Sequence, residues 1–317
     1  MIRTILHRLK DIIELYAPYK SFDRPIFIIA PPRSGSTFLF NCLSQFEELY
    51  SLKTEADYIW WRCFPYETMK APSDYLGIES ASSKNIRAIR RLIYKQATSN
   101  YYRTNPNQSR AGHLFGLKKI RYLDKTIANC FHLQFLDRAF PDAQYVFLVR
   151  DPRANISSMI DGWPYLDRFG KPQLSHLFRS LQKATIGHWT YPAPPGWQKI
   201  VSKPVQEVCA WSWRQHITFA VSFFEQHHEN ILKIRYEDLV NDTINWICKL
   251  AVKLDLKISK KVIEYIESPP LSRTTISTPY DNKWKANNYE RVLSILPSVK
   301  DTAVRIGYDV SFKSVTQ

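Results

Sequence analysis

The chain has 317 residues, of which 44% are hydrophobic and 23% are charged, and its formal net charge is +15. This composition is typical of a folded globular protein and excludes a chain that is disordered throughout. The 44 Lys and Arg residues are spread along the whole sequence without an arginine-rich tract. Charge alone therefore does not decide between nucleic acid, an anionic membrane surface and an anionic small molecule as the partner.

The cysteines and the apolar segments indicate the compartment. The five cysteines form no CxxC pair and no cluster with zinc-ligand spacing, so we interpret them as free thiols in a reducing environment. No stretch approaches the roughly 20 apolar residues that span a bilayer, and the N-terminus has no signal-peptide pattern. We therefore expect a soluble, unprocessed cytoplasmic protein.

Residues 1–20 are predicted to form an amphipathic helix. Apolar side chains recur at helical spacing between Ile2 and Tyr16, basic side chains lie opposite them, and Pro18 ends the pattern. The helix either packs against the rest of the protein or rests on a membrane surface through its basic face. Residues 21–317 are predicted to form a single domain.

Short apolar runs rich in β-branched residues occur at 25–30, 145–149 and 231–236, and each is followed by a polar turn and a helical pattern. Such runs are typical of strands that are buried on both faces of a parallel sheet. The sequence therefore predicts an α/β fold with a central parallel β-sheet flanked by helices. Residues 163–204 interrupt the pattern as an insertion rich in Trp, Tyr and Pro.

The loop at residues 31–37 lies between the first predicted strand and its helix, where parallel sheets bind ligands. Backbone N–H groups of the loop and the helix form an anion site there, to which the arginine and the hydroxyl residues of the loop add donors. Gly35 lets the backbone approach the ligand closely. A Walker A loop would need Gly at Ala30 and Lys at Ser36, so ordinary triphosphate hydrolysis is disfavoured.

This loop resembles the donor loop of the sulfotransferase family, most closely in the branch that includes tyrosylprotein sulfotransferases and many bacterial enzymes. Similarity extends over about residues 25–310 through several motifs in the same order. The resemblance implies a P-loop-like nucleotide-binding core for the sulfuryl donor 3'-phosphoadenosine 5'-phosphosulfate (PAPS). In that core the 5'-phosphosulfate is held by Arg33, Ser34, Gly35, Ser36 and Thr37, and Arg33 also takes part in catalysis.

The resemblance implies a general base in the segment that follows the first helix. Glu55 matches the glutamate that similar enzymes use to remove the acceptor proton. Asp57 and Glu67 are weaker substitutes for it. His113 is an alternative base, although we interpret it as a core histidine.

A lysine that stabilises the leaving group is the second catalytic residue that the resemblance implies. Lys125 matches it at the start of a Lys-Thr-x-x-Asn string, in which Ile127 replaces the proline of similar enzymes. Its ammonium group is expected to neutralise charge on the bridging oxygen as the phosphate departs. Lys118, which follows a Gly-Leu pair, competes for this role.

A second phosphate contact is implied by the segment Val146–Arg153, which resembles the second signature of the family. Arg150 at the end of the predicted strand and Ser158 on the next helix are expected to hold the 3'-phosphate of the donor. Related enzymes often place a further arginine beyond this serine. Gly162 lies near that place in this chain, and that contact is not expected.

Two further residues complete the expected donor site. Tyr236 lies in an Arg-Tyr-Glu-Asp-Leu segment whose tyrosine approaches the nucleotide in similar enzymes. Lys283, in Asn-Lys-Trp, and the later Gly307-Tyr308 pair resemble the closing segment of the family, where a lysine contacts the donor.

The resemblance implies in-line transfer of a sulfuryl group from PAPS to an acceptor hydroxyl, in one step and without a metal. The aromatic insertion favours a carbohydrate, a lipid or another small molecule over a protein tyrosine as the acceptor, and the basic N-terminal helix favours peripheral membrane contact. A P-loop-type kinase or nucleotide hydrolase and a non-enzymatic nucleic-acid-binding protein stay as alternatives. The missing loop lysine weakens the first, and the absence of a nucleic-acid-binding motif weakens the second.

Overall fold

The computed structural model describes residues 21–108, 118–170, 186–226, 231–280 and 282–310. The predicted N-terminal helix at 1–20, the candidate base His113 and part of the insertion lie outside these residues. The strands are β1 (Ile26–Ile29), β2 (Leu49–Tyr50), β3 (Arg121–Asp124), β4 (Gln144–Val149) and β5 (Ile231–Arg235). They form one parallel sheet in the order β2-β3-β1-β4-β5.

Helices connect the strands and cover the sheet. In chain order they are α1 (Ser36–Leu43), α2 (Asp57–Cys63), α3 (Ser83–Thr104), α4 (Leu133–Ala139), α5 (Pro152–Gly162), α6 (Leu166–Phe169), α7 (Val205–Phe224), α8 (Tyr236–Asn241), α9 (Thr243–Leu254), α10 (Lys260–Glu267), α11 (Lys283–Asn287) and α12 (Tyr289–Arg305). Short 3₁₀ turns occur at Tyr66–Thr68, Ile78–Ser80, Ile127–Phe131 and Trp197–Lys199.

Alternate residues of the central strands face two separate hydrophobic cores. Phe27 and Ile29 of β1 lie in the larger core, which helices α3, α4, α5, α7 and α12 cover. Ile26 and Ile28 lie in the smaller core under α1, α9 and α10. Burial on both faces explains why the predicted strand is continuously apolar and has no alternation. The predicted α/β fold with a parallel sheet flanked by helices is confirmed.

Two kinds of feature are absent from the described residues. No helix in the described ranges is both long enough and apolar enough to cross a membrane. Within the same ranges, no three His, Cys, Asp or Glu side chains come together in a way that could hold a metal ion.

Candidate active site

The predicted site residues meet at one edge of the sheet. Because all five strands are parallel, their carboxyl ends lie together, and the strand order sets the order of the side chains that follow. From one end of this edge to the other the residues are Glu55 after β2, Lys125 after β3, the loop 31–37 after β1, Arg150 after β4 and Tyr236 after β5. The crevice between β1 and β4 is the switch point, because the chain leaves these strands in opposite directions.

The loop after β1 has the backbone of an anion-binding turn. Arg33 (φ 65°) and Gly35 (φ 94°) both adopt the left-handed conformation, and α1 begins directly afterwards at Ser36. The first N–H groups of a helix have no partner within it and attract negative charge. A Cβ atom at Gly35 would overlap with the ring of Tyr236. Glycine is therefore required here by both its backbone conformation and its neighbour.

Arg33 points into the crevice between the loop and α5. Its Nε lies 3.4 Å from Oγ of Ser158, and its Nη1 donates a 2.7 Å hydrogen bond to the carbonyl of Thr274. The ring of Phe169 lies 4.4 Å from its guanidinium carbon. Burial lowers the pKa of Arg33, and the nearby Arg150 adds to this effect.

Arg150 is the second guanidinium group of the crevice. Its Nη1 donates a 2.9 Å hydrogen bond to the carbonyl of Arg33, and its guanidinium carbon lies 4.6 Å from the ring centre of Tyr236. Its Nε and the hydroxyl of Ser34 are buried, with no hydrogen-bond partner among the described residues. Neither Arg33 nor Arg150 forms an ion pair with a carboxylate of the described part of the chain. The crevice therefore concentrates positive charge and unused donors.

The local sequence holds α5 in place beneath these groups. Asp151 caps the helix, its side chain accepting from the N–H of Arg153, and Pro152 occupies the first turn. At the other end of α5, a Cβ atom at Gly162 would overlap with the hydroxyl of Tyr191. A larger residue at Gly162 would therefore require the Tyr191 side chain to move.

Glu55 and Lys125 form an ion pair. Lys125 Nζ lies 2.6 Å from Glu55 Oε1, and the two side chains are 10% and 28% exposed, respectively. The N–H of Ile127 also approaches Glu55 Oε2, at 3.5 Å. The two residues, which the family resemblance placed in separate roles, are thus in direct contact.

The competing residues lie in other places. Lys118 is exposed and precedes β3, on the amino side of the sheet, whereas Lys125 follows the same strand. Glu67 is exposed in a 3₁₀ turn, and Asp57 lies in the first turn of α2. Lys283 donates hydrogen bonds to the Ser277 hydroxyl and the Thr278 carbonyl, so its ammonium group contacts the segment that also supplies Thr274.

Sequence reasoning missed several residues that shape this edge. Glu237 accepts hydrogen bonds from the N–H of Asp151 (2.9 Å) and the hydroxyl of Tyr308 (2.6 Å), so it joins the turn after β4 to the C-terminal segment. It lies in the quoted Arg-Tyr-Glu-Asp-Leu segment, which was the available signal. Phe169 and Thr274 contact Arg33 from remote segments, and no local pattern marks them.

The described parts of the aromatic insertion are largely buried. Trp163, Trp189, Tyr191 and Trp197 belong to the larger core, where the rings of Trp189 and Trp197 lie 5.0 Å apart. The insertion is also tied to the segment after α2, because the N–H of Ala193 donates to the carboxylate of Asp74 at 2.6 Å. Most of these aromatic residues therefore serve packing.

Comparisons with known proteins identify the family. A model of the sulfotransferase family matches residues 25–193. A search of curated protein sequences gives no match. Among solved structures, sulfotransferase STF9 from Mycobacterium avium has a TM-score of 0.48 and 15% identity, with 94% of this chain and 80% of that chain covered.

Two other solved structures are similar at a comparable level. The sulfotransferase domain of the Synechococcus PCC 7002 olefin synthase has a TM-score of 0.47 and 15% identity, over 92% of this chain and 97% of that one. Mouse sulfotransferase SULT7A1 complexed with PAP has a TM-score of 0.43 and 12% identity, over 92% and 88%. These values are too low to add to the assignment, which rests on the family match. That match spans more than half of the sequence and includes the loop, the ion pair and Arg150, and the chain belongs to the sulfotransferase family.

Proposed function

We propose that the protein transfers a sulfuryl group from PAPS to the hydroxyl group of a small acceptor in one in-line step. The main support is that two buried donors without a partner, the Ser34 hydroxyl and the Arg150 Nε–H, lie on the same sheet edge as the Glu55–Lys125 ion pair. A guanidinium N–H and a hydroxyl that are buried beside the start of a helix fit an anionic ligand. PAPS, which supplies the sulfuryl group when bound, offers phosphate groups to both guanidinium groups of the crevice.

The donor is held from two sides in this proposal. The loop residues Arg33 to Thr37 bind the 5'-phosphosulfate through backbone N–H groups and hydroxyls, and Arg150 and Ser158 bind the 3'-phosphate. The 3.4 Å approach of Arg33 to Ser158 supports this arrangement, because it brings the two halves of the site within reach of one ligand. Tyr236, which lies against Arg150, is placed to contact the nucleotide. Lys283 is proposed to turn from Ser277 toward the donor.

The ion pair supplies the proton transfer and the charge stabilisation. The Glu55 carboxylate accepts the proton of the acceptor hydroxyl while the new S–O bond forms and the bond to the leaving phosphate breaks. An ammonium group has three donors, and Glu55 uses one of those of Lys125. The others are available to the bridging oxygen as negative charge develops on it, and Arg33 adds to this stabilisation. No step requires a metal.

We propose a carbohydrate or a lipid, in preference to a protein tyrosine, as the acceptor that binds beside Glu55. Tyr58 is 46% exposed on α2, and Trp61, one turn later on the same face, is half-buried. Flat aromatic surfaces suit sugar rings and apolar chains alike. The hydrogen bond between Ala193 and Asp74 brings this described part of the insertion against the segment after α2, which supports a role for it in covering the acceptor.

Calorimetry with 3'-phosphoadenosine 5'-phosphate (PAP) tests the donor site. We expect the unmutated protein to bind PAP, and Arg150→Met to weaken binding by about 30-fold or more, since hydrogen bonds to charged groups contribute about 2 kcal/mol. Arg153→Met, three residues later in the first turn of α5, is the matched control, because Asp151 already pairs with Arg153 at 2.6 Å. Absence of PAP binding by the unmutated protein would overturn the proposal, and binding of magnesium-ATP in its place would favour a kinase.

A screen with sulfur-labelled PAPS tests the reaction and the acceptor class. Panels of sugars, amphipathic lipids, phenols and tyrosine peptides are compared under identical conditions. Transfer to sugars or lipids in preference to peptides is the expected result. Preferred labelling of tyrosine peptides would contradict the proposed acceptor class while leaving the donor assignment intact.

A further inference from the structure

A buried carboxylate lies directly behind the Glu55–Lys125 pair. Asp124, the last residue of β3, is 3% exposed. It accepts four hydrogen bonds, from the Tyr122 hydroxyl (3.0 Å), the Thr126 N–H (3.3 Å), the Thr126 hydroxyl (3.1 Å) and the Asn129 amide (2.6 Å). Burial raises the pKa of Asp124, and these bonds act in the opposite direction.

Thr126 links this carboxylate to the other side of the pair. Its hydroxyl donates to Asp124 and accepts a 2.6 Å hydrogen bond from the N–H of Ala56, which directly follows Glu55. Thr126 and Ala56 are each 1% exposed. The turn after β3 and the turn after β2 are thus joined by one buried hydroxyl, immediately beside the two side chains that form the ion pair.

We infer that Asp124 and Thr126 are positioning residues that hold Glu55 and Lys125 at the separation their reaction needs. Neither residue contacts the reacting groups, and the inference rests on the proposed function of the pair. Displacement of a catalytic group by about 1 Å costs on the order of 100-fold in rate. A single hydroxyl that fixes both turns therefore controls the rate without contributing to donor affinity.

The fold does not depend on this link to hold the two strands together. The β2–β3 pairing is made by Leu49 with Arg121 and by Tyr50 with Tyr122, away from the threonine. Loss of the Thr126 hydroxyl is therefore expected to leave the sheet intact and to release the two turns locally. This separation makes a purely structural role distinguishable from a positioning role.

Thr126→Val is the test variant and Thr126→Ser is its matched control. Valine keeps the shape and removes the hydroxyl, whereas serine keeps the hydroxyl. We expect Thr126→Val to lower kcat by about 10- to 100-fold, with the KM for PAPS and the PAP dissociation constant within about twofold of the unmutated values. Serine should restore kcat. Asp124→Asn replaces one acceptor oxygen with an NH₂ group, which cannot accept the hydrogen bonds of Tyr122, Thr126 and Asn129. We expect this substitution to lower kcat as well.

Glu55→Gln provides the background that separates the outcomes. If threonine acts through Glu55 and Lys125, Thr126→Val adds little to the loss already caused by Glu55→Gln, because coupled residues are not additive. A full additional loss in that background, a normal kcat in Thr126→Val, or equal losses in kcat and PAP affinity would each overturn the positioning role. Failure of the unmutated protein to bind PAP would instead overturn the proposed function, together with the role that rests on it.

Discussion

The two halves of the carboxyl edge satisfy their polar groups in opposite ways. On the β2–β3 half, Glu55 and Lys125 neutralise each other, and Asp124 and Thr126 behind them have their hydrogen bonds made within the protein. On the β1–β4 half, Arg33 and Arg150 lie close together without a carboxylate partner in the described part of the chain, and donors of Ser34 and Arg150 are buried unused.

This difference separates two tasks that one ligand-binding edge has to perform. A half that is complete by itself keeps its geometry whether or not ligand is present, which suits groups that must act at a defined distance. In the half with unpaired charge, burying the two guanidinium groups destabilises the free protein. Binding of an anion removes this free-energy cost and therefore contributes to the affinity. Substitutions in the two halves should therefore affect different measured quantities.

The largest effect is expected from the self-sufficient half. Glu55→Gln removes the proposed base, and kcat should fall by about 10²- to 10⁴-fold, the range that general base catalysis contributes. PAP affinity should stay the same or increase, because Lys125 loses its partner and becomes available to an anion. Steady-state kinetics and calorimetry measure the two quantities. A loss of PAP affinity as large as the loss in kcat would remove the distinction between the halves.

An intermediate effect is expected from the incomplete half. Arg33→Met should raise the PAP dissociation constant by about 30- to 150-fold, equivalent to about 2–3 kcal/mol. The free energy of unfolding without ligand should change by less than about 1 kcal/mol, because loss of the hydrogen bond to the Thr274 carbonyl offsets the gain from removing a buried cation near Arg150. Denaturant unfolding measures this second quantity.

Arg138→Met is the control for this substitution, since it removes one exposed positive charge from the last turn of α4. It should leave both quantities within experimental error. A strongly destabilised Arg33→Met protein would mean that Arg33 stabilises the fold. The proposed difference between the two halves would then be wrong.

The smallest effect is expected from the support of the incomplete half. Tyr308→Phe removes the hydrogen bond to Glu237 and should lower the free energy of unfolding by about 1 kcal/mol. PAP affinity should fall by less than about threefold, because Glu237 keeps its bond to the N–H of Asp151. Tyr280→Phe, at an exposed ring, serves as the control. Equal effects of the two substitutions would show that the link does not support the turn after β4.

The sequence was sufficient to locate β1 and β4, which are buried on both faces, and also β5. The expectation that β5 is buried on both faces was wrong, because it is an edge strand in which Lys233 and Arg235 are exposed. The predicted runs at 25–30, 145–149 and 231–236 contain β1, β4 and β5. β3 escaped prediction because it begins at Arg121 and ends at Asp124, with only two apolar residues between them, although Arg121 is only 7% exposed. Its guanidinium donates to the carbonyls of Leu254 and Asp255, which lie far away in the chain, so no local pattern could show that an arginine is buried there.

The site divides in the same way. Short motifs beside strands were enough to name Glu55, Lys125, Arg33 and Arg150, because each lies next to a recognisable segment. Their relations were not predictable, since the ion pair joins residues 70 positions apart and the Arg33–Ser158 contact joins residues 125 positions apart. The aromatic insertion was read as a ligand surface, whereas Trp189 and Trp197 are buried in the core. The composition of a segment shows that it contains aromatic side chains, but it does not show whether these side chains face the core or a ligand.

The contact of Tyr236 with Gly35 and Arg150 has a consequence for how the protein folds. This tyrosine follows the last strand of the sheet, whereas the loop it covers follows the first. Contacts between such distant parts of a chain form slowly, because a long loop must close before they are made. During synthesis, a chain from which β5 has not yet emerged therefore lacks the Tyr236 ring that covers the loop 31–37. The donor site comes into existence as a unit, when the outermost strand joins the sheet.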